Sequence, residues 1–334
     1  MVDQFGGIIE KILAYLFSFD FLLSPVYLPT TVLIAFVIWK MRGGKVGFFA
    51  YLVPREVYQH ASTRTDVMLS SVVLLLFGMG FFATFYFAPY VTAVLLLAFE
   101  GQAGRGTAEP TSFATGLLAV IVLFLTQDFC RFVTHYLHHK SPVIWPFHAV
   151  HHSAEVLTPV TFFRAHPVYY AIQRLLMSLF IGVAQAVVLF LFVGQIEFWL
   201  IQATTVAFYG YMLLGGHLRH SHIPLSYGRI LEHILISPVQ HQIHHSSDPK
   251  HFDKNFGEVF AIWDWMFGTL YVPEREEALV FGIGDGQGGT VTQPYPTLRD
   301  ALIKPFRESA AALRPQRHAA SADKATSLAA GREP

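Results

Sequence analysis

What most constrains this chain is a pair of stretches without a single charged residue, positions 21–39 and 67–88. As helices, their 19 and 22 residues are each about long enough to cross a hydrocarbon core of roughly 30 Å. Positions 113–127, 175–193 and 198–216 are three further candidates, the first extended in helical register by the residues after it. Four or five spans are therefore expected. Positions 90–99 are also apolar, but they come directly after Pro89 and number only ten, so a re-entrant or interfacial segment is expected there. Ile8, Ile9, Ile12, Leu13 and Leu16 recur at helical spacing beside Glu10 and Lys11, the pattern of an amphipathic helix on a membrane surface. With no basic start and no small-residue cleavage site, a secretory signal is not expected. Composition agrees: 14% of residues are charged and mean hydropathy is +0.43, whereas soluble domains carry about a quarter charged residues.

The 23 Lys and Arg balance 23 Asp and Glu, so there is no basic field that would argue for nucleic acid. Between the first two expected spans lie Lys40, Arg42, Lys45, Arg55 and Arg64, while among positions 89–112 Arg105 is the one basic residue and the link 194–197 has no Lys or Arg. The positive-inside rule makes the first side cytoplasmic. With five alternating spans, positions 128–174 and 217–334 fall on that side too. The single cysteine, Cys130, excludes a disulfide framework, a cysteine zinc site and a Cys-x-x-Cys redox pair.

Histidine carries the chemistry: 15 of 17 lie between His135 and His251. The first group is His135-Tyr-Leu-His138-His139. A helix from Phe113 to before Pro142 would be roughly 42 Å long, enough to project His135 and His139 beyond the membrane on one face. Asp128, nearly two turns earlier on that face, is a candidate second-layer carboxylate for orienting an imidazole. Two further groups, His148-Ala-Val-His151-His152 and His241-Gln-Ile-His244-His245, share the pattern HxxHH, which lets two or three rings converge on a helix. Eight such imidazoles exceed what one ion of four to six ligands needs, so two metal ions are inferred, of a kind that spacing does not identify. Of His217, His220 and His222, at least one could complete a coordination sphere. His166 reads as a cap; His60, His233, His251 and His318 read as surface or packing residues.

Together, Asp128, His135-xxx-His139, Trp145-Pro-Phe-His148-xx-His151-His152-Ser153, Pro238-xx-His241-xx-His244-His245, Asn255-Phe-Gly and Trp263-Asp264-Trp-Met-Phe-Gly268-Thr resemble the fatty acid hydroxylase/sterol desaturase superfamily over roughly positions 115–275. The resemblance implies an all-α integral membrane protein whose four to five transmembrane helices carry a cytosolic helical cap with a histidine-rich dimetal site. It implies two iron ions bound by His135, His139, His148, His151, His152, His241, His244 and His245, with His220 as a ninth ligand, and O₂ as co-substrate. It divides the chain into three regions: 1–112 amphipathic and transmembrane, 113–275 catalytic, and 276–334 a largely flexible extension. Tyr136, His138 and His222 depart from the usual family residues and leave the subfamily open.

The function so implied is hydroxylation or desaturation of a membrane lipid, sterol-like or long-chain. The sequence contains no haem, dinucleotide or iron–sulfur motif, so a separate electron donor is expected, a b-type cytochrome or a ferredoxin with its reductase. The glycine-rich stretch 282–289 lacks a βαβ context and reads as a flexible turn. Two other classes use histidine: a membrane zinc hydrolase, whose His-Glu-x-x-His is absent here, and a metal transporter, whose ligands would sit inside the spans.

Overall fold

The structure is a computed structural model that describes residues 24–103, 112–191 and 198–314. The expected helix near Ile8–Leu16 lies outside the described residues, as do Arg105, the 194–197 link, His318 and the last twenty residues. Among the described residues the fold is helical, with three isolated β-bridges and no strand. The principal helices are α1 (Leu28–Met41), α2 (Ala61–Gly78), α3 (Ala88–Ala103), α4 (Phe113–Lys140), α5 (Trp145–His152), α6 (Pro167–Leu191), α7 (Phe198–Leu213), α8 (Pro238–His244), α9 (Ile262–Phe267) and α10 (Leu298–Ala312).

Four segments are long and apolar enough to cross a membrane: Ala61–Gly78, Phe81–Phe99, Phe113–Lys140 and Pro167–Leu191. The number agrees with expectation, but the segments differ. The uncharged run 67–88 is not one helix, because it breaks after Gly78 and Gly80 takes φ +74°, a conformation glycine adopts without steric cost. The chain then re-enters helix through Phe81–Phe85, so positions 90–99, expected to be re-entrant, belong to a span-length segment. Among the described residues the first run gives a shorter apolar helix, Pro25–Met41, and its Ile34 and Ile38 belong to a cluster with Leu218, Ile223 and Leu225.

α3 runs beside α6 in the same direction, Ala88 and Val91 lying against Gly182 and Phe99 against Phe190. A Cβ on Gly182 would sit 2.6 Å from that of Val91, so the missing side chain is what lets the two helices meet. α4 runs antiparallel to α6, Phe129 meeting Phe180 and His138 meeting Tyr169. Ser112 caps α4 by accepting from the Thr115 N–H. The helix ends at Ser141, just before Pro142, after 28 residues, about 42 Å, and so carries its histidines past an apolar slab.

Around those histidines the chain folds into a cap. Arg164, wholly buried, donates to Asp66 of α2, to the Val150 carbonyl and Ser153 of the α5 end, and to Ser62. The extension after position 275, expected to be largely flexible, is ordered through residue 314. Thr297 caps α10 by accepting from the Asp300 N–H, and Ala301 packs with Tyr295, Leu69, Ala149 and Val150. Asp285 accepts from the Gln287 and Gly289 N–H groups and closes the glycine-rich turn.

Removing one member of a buried, multiply bonded ion pair leaves the other charge stranded, at a cost of about 3–5 kcal/mol. Arg164→Met should therefore lower the thermal midpoint of the detergent-purified protein far more than Arg314→Met does, as measured by circular dichroism.

Candidate metal centre

Helical geometry sorts the imidazoles into two groups. His135 and His139, four residues apart on α4, point the same way, as do His148 and His152 on α5; with His244 of α8 they make a cluster of five. His241 and His245, again four apart, join His151 and His220 in a cluster of four. Within each cluster one ligand atom per ring lies within 4.8 Å of all the others. On a helix, positions i and i+4 nearly eclipse while i+3 falls to one side. Each HxxHH box therefore gives an i, i+4 pair to one cluster and its middle histidine to the other, α5 and α8 doing so in opposite senses.

The separations are those of a shared ligand sphere. In the five-membered cluster, His152 Nε2 lies 3.1 Å from His139 Nε2, 3.2 Å from His148 Nε2 and 3.1 Å from His244 Nε2. In the four-membered one, His220 Nε2 is 3.1 Å from both His151 and His245 and 2.9 Å from His241. Neutral imidazole has one donor and one acceptor nitrogen. Protons on these Nε2 atoms would collide, while protons on Nδ1 would set several lone pairs facing one another. A cation resolves both. Burial first, and then neighbouring rings, hold His148, His152, His241 and His245 well below the usual histidine range; burial, then the nearby guanidinium of Arg164, pushes His151 down to about 3. They are neutral near pH 7, the form that binds metal.

Backbone carbonyls aim the rings. His135 Nδ1 donates to the Phe256 carbonyl at 2.9 Å, leaving its buried Nε2 with no partner among the described residues. His244 Nδ1 donates to the Lys254 carbonyl at 2.7 Å. Between those carbonyls sits Asn255 at φ +56°, its amide donating to the Gln240 and Tyr271 carbonyls and its oxygen accepting from the Tyr271 N–H. Asp264 accepts from the Phe256 and Gly257 N–H groups at 2.8 and 2.7 Å and from Thr269. Both motifs were visible in the sequence, but their work of fixing one loop under two histidines was not.

All nine histidines singled out in the sequence thus fall into the two clusters. Asp128 does not touch an imidazole. Its carboxylate accepts from the Val259 and Phe260 N–H groups and from Trp263 Nε1; nearly two turns from His135, it meets the segment after Gly257 instead. His138 joins neither cluster: its Nδ1 donates to the Thr134 carbonyl and its ring packs on Tyr169. His166, His217 and His222 bond the carbonyls of Leu302, Met212 and Tyr51 respectively, so of 217, 220 and 222 only His220 joins a cluster.

A cavity of about 450 Å³ opens against the clusters, walled by His135, His148, His151, His220 and His241. Tyr169 lines it, its ring stacked on His148 at 5.0 Å.

Residues 120–269 match the fatty acid hydroxylase family. Over 156 residues the chain is 30% identical to an alkylglycerol monooxygenase from Xenopus tropicalis, covering 47% of this chain and 31% of the relative. It is 28% identical over 160 residues to the alkylglycerol monooxygenase of Danio rerio, covering 48% and 32%. An ornithine lipid hydroxylase from Rhizobium tropici is 28% identical over 170 residues, covering 49% and 45%. The chain thus spans 31–45% of the length of these relatives. No solved structure matches it.

The two-cluster arrangement separates the nine converging histidines from their neighbours. His139→Ala and His241→Ala should each lower bound metal, measured by elemental analysis of the detergent-purified protein, whereas His138→Ala should leave it unchanged. Asn255→Ala, which frees the carbonyl-bearing loop, should weaken metal affinity by about 10–100-fold.

Proposed function

We propose that the two histidine clusters hold two iron ions and that the protein is a multi-pass membrane oxygenase that hydroxylates a lipid. The observation that carries this reading is the pair of buried, all-imidazole clusters whose Nε2 atoms converge to 2.9–3.2 Å. Nine imidazoles shared between two sites, five of them in one, exceed the three protein ligands of a hydrolytic zinc site. That favours ions of higher coordination number over a zinc hydrolase. The activities named for the relatives, a monooxygenase and a lipid hydroxylase, favour oxygen insertion over desaturation.

The reaction balances as C–H plus O₂, two electrons and two protons giving C–OH and water. The metal pair, when bound, supplies the oxidising power for breaking an unactivated C–H bond, which side chains lack. The chain's own residues do the rest. Lys254 and Phe256 fix the rings of His244 and His135, the Asp253 carboxylate lies 3.7 Å from His139 Nδ1, and Phe162, Phe163 and Phe256 give the cavity its water-excluding walls. The electrons come from a separate donor, a b-type cytochrome or a ferredoxin with its reductase, because one buried cysteine cannot build an electron-transfer cluster.

The clusters face the cytoplasm in this reading. The basic loop between α1 and α2 lies at the histidine end of the molecule: Arg42 pairs with Glu276, and the Tyr51 carbonyl accepts from His222. The positive-inside rule applied to that loop carries the clusters with it.

Purified protein reconstituted with iron should hold about two ions per chain, be reduced anaerobically by dithionite and be reoxidised by O₂; redox-silent metal at full occupancy would exclude the oxygenase. Lipid extracts of cells overproducing the protein under air should gain a species one oxygen heavier. In intact cells Lys45→Cys should resist an impermeant maleimide that labels Ser112→Cys, and the reverse pattern would invert the topology.

A further inference from the structure

The cavity beside the clusters is not an apolar tunnel. Gln127, Arg131 and His135 succeed one another at four-residue intervals on α4, and all three line it. Arg131 and Gln127 therefore stand about 6 and 12 Å along the helix from His135, towards its apolar half. On the facing helix α6, Gln173 and Arg174 line the same cavity one turn beyond Tyr169 and Tyr170. Polar and charged side chains on membrane-crossing helices are costly, and they mark the path of a polar ligand. The lining carries three guanidinium groups, Arg131, Arg174 and Arg219, against one carboxylate, Glu258. Glu258 bonds Arg131 at 3.1 Å and lies 3.7 Å from Arg219. The Arg131 and Arg174 guanidinium groups lie over the rings of Phe208 and Phe77, which holds each planar fork in place within the cavity wall. At about 450 Å³ the cavity is within the usual size range of a small-molecule site.

We propose that this cavity receives the oxyanion-bearing headgroup of a membrane lipid, with Arg174 and Gln173 as specificity-determining residues, so that the carbon presented to the histidine clusters lies next to the headgroup. The binding half stands by itself; the site of oxidation rests on the lipid-oxygenase reading. A guanidinium fork matches the paired oxygens of a phosphate or a carboxylate, and either can head a lipid. The apolar chain would then leave the cavity on its bilayer side.

The test measures binding and turnover separately, on the full-length, iron-loaded protein in detergent. Four single-chain lipids with identical acyl tails are compared by native mass spectrometry: a phosphate-headed lysolipid, a carboxylate-headed N-acyl amino acid, a choline-headed lysolipid and a neutral monoacylglycerol. One or both of the first two should bind about tenfold or more tightly than the neutral lipid, and which of them does so identifies the oxyanion. Arg174→Gln should erase that preference with metal content unchanged; Gln173→Leu, a milder change, should reduce it. Equal or tighter binding of the neutral lipid overturns the proposal, as does a preference that survives Arg174→Gln, or binding of none of the four. Products from bound lipid are then fragmented. Added oxygen near the headgroup supports the second half, and oxygen at mid-chain overturns it. Arginine-dependent binding with no product under O₂ and a reductant would leave the headgroup site standing and fail the oxygenase reading; product from a neutral lipid with no anionic preference would do the reverse.

Discussion

The interaction on which the rest depends is the enforced approach of imidazole nitrogens that have nothing to offer one another. Eight Nε2 atoms converge in two clusters, at separations where neighbouring lone pairs repel, and the rings are buried where water cannot relieve them. Such an arrangement persists only if the surrounding fold imposes it and a cation rewards it. Because α5 and α8 each feed both clusters, the two sites are one mechanical unit. Shifting either helix moves ring nitrogens in both, whereas the first box feeds the five-membered cluster alone.

Carboxylates take no direct part in either cluster; the buried ones hold the scaffold. Asp128 and Asp264 bind consecutive amides of the same stretch, Val259 and Phe260 for one, Phe256 and Gly257 for the other. That stretch carries the Phe256 carbonyl that aims His135. The first histidine box and the loop after the third are thereby locked together by two carboxylates that never reach a ring. Gly257 allows it: a Cβ there would lie 2.6 Å from the Phe260 carbonyl and 2.9 Å from Asp264 Oδ2.

The histidine boxes were legible in the sequence because i, i+4 spacing is a local property, and helix geometry alone makes those pairs convergent. What depended on distant partners was not. The role of Asp128 hinges on amides 131 and 132 positions away, and no spacing rule reports that. Spacing alone left His220 as one of three candidates; the resemblance singled it out, and it joins the four-membered cluster where the chain returns from α7 to the histidine end. Hydropathy read 67–88 as one span because it averages over Gly80, whose left-handed turn resets the direction of the chain. The ordered α10 was missed because its burial comes from α5 and α2, not from its own modest apolar content.

The two faces of α6 connect the membrane to the chemistry. Leu175, Leu179, Val183, Val187 and Leu191 recur every four residues and are exposed, a stripe suited to acyl chains. Gln173 and Arg174 belong to the cavity instead. On α4, Leu117, Leu118 and Ile121 are exposed in the apolar half, while Gln127 and Arg131 join the cavity. The polar groups therefore do not face lipid, and their desolvation is met within the protein, by Glu258 and by the rings of Phe77 and Phe208. A helix that served only to anchor the cap would gain nothing from an arginine at this depth. Two facing helices that each carry one, a turn below the imidazoles, give the bilayer side of the metal centre a polar throat. In the proposed reading, a lipid entering by that route would meet polar contacts and the two histidine clusters within the same few ångströms.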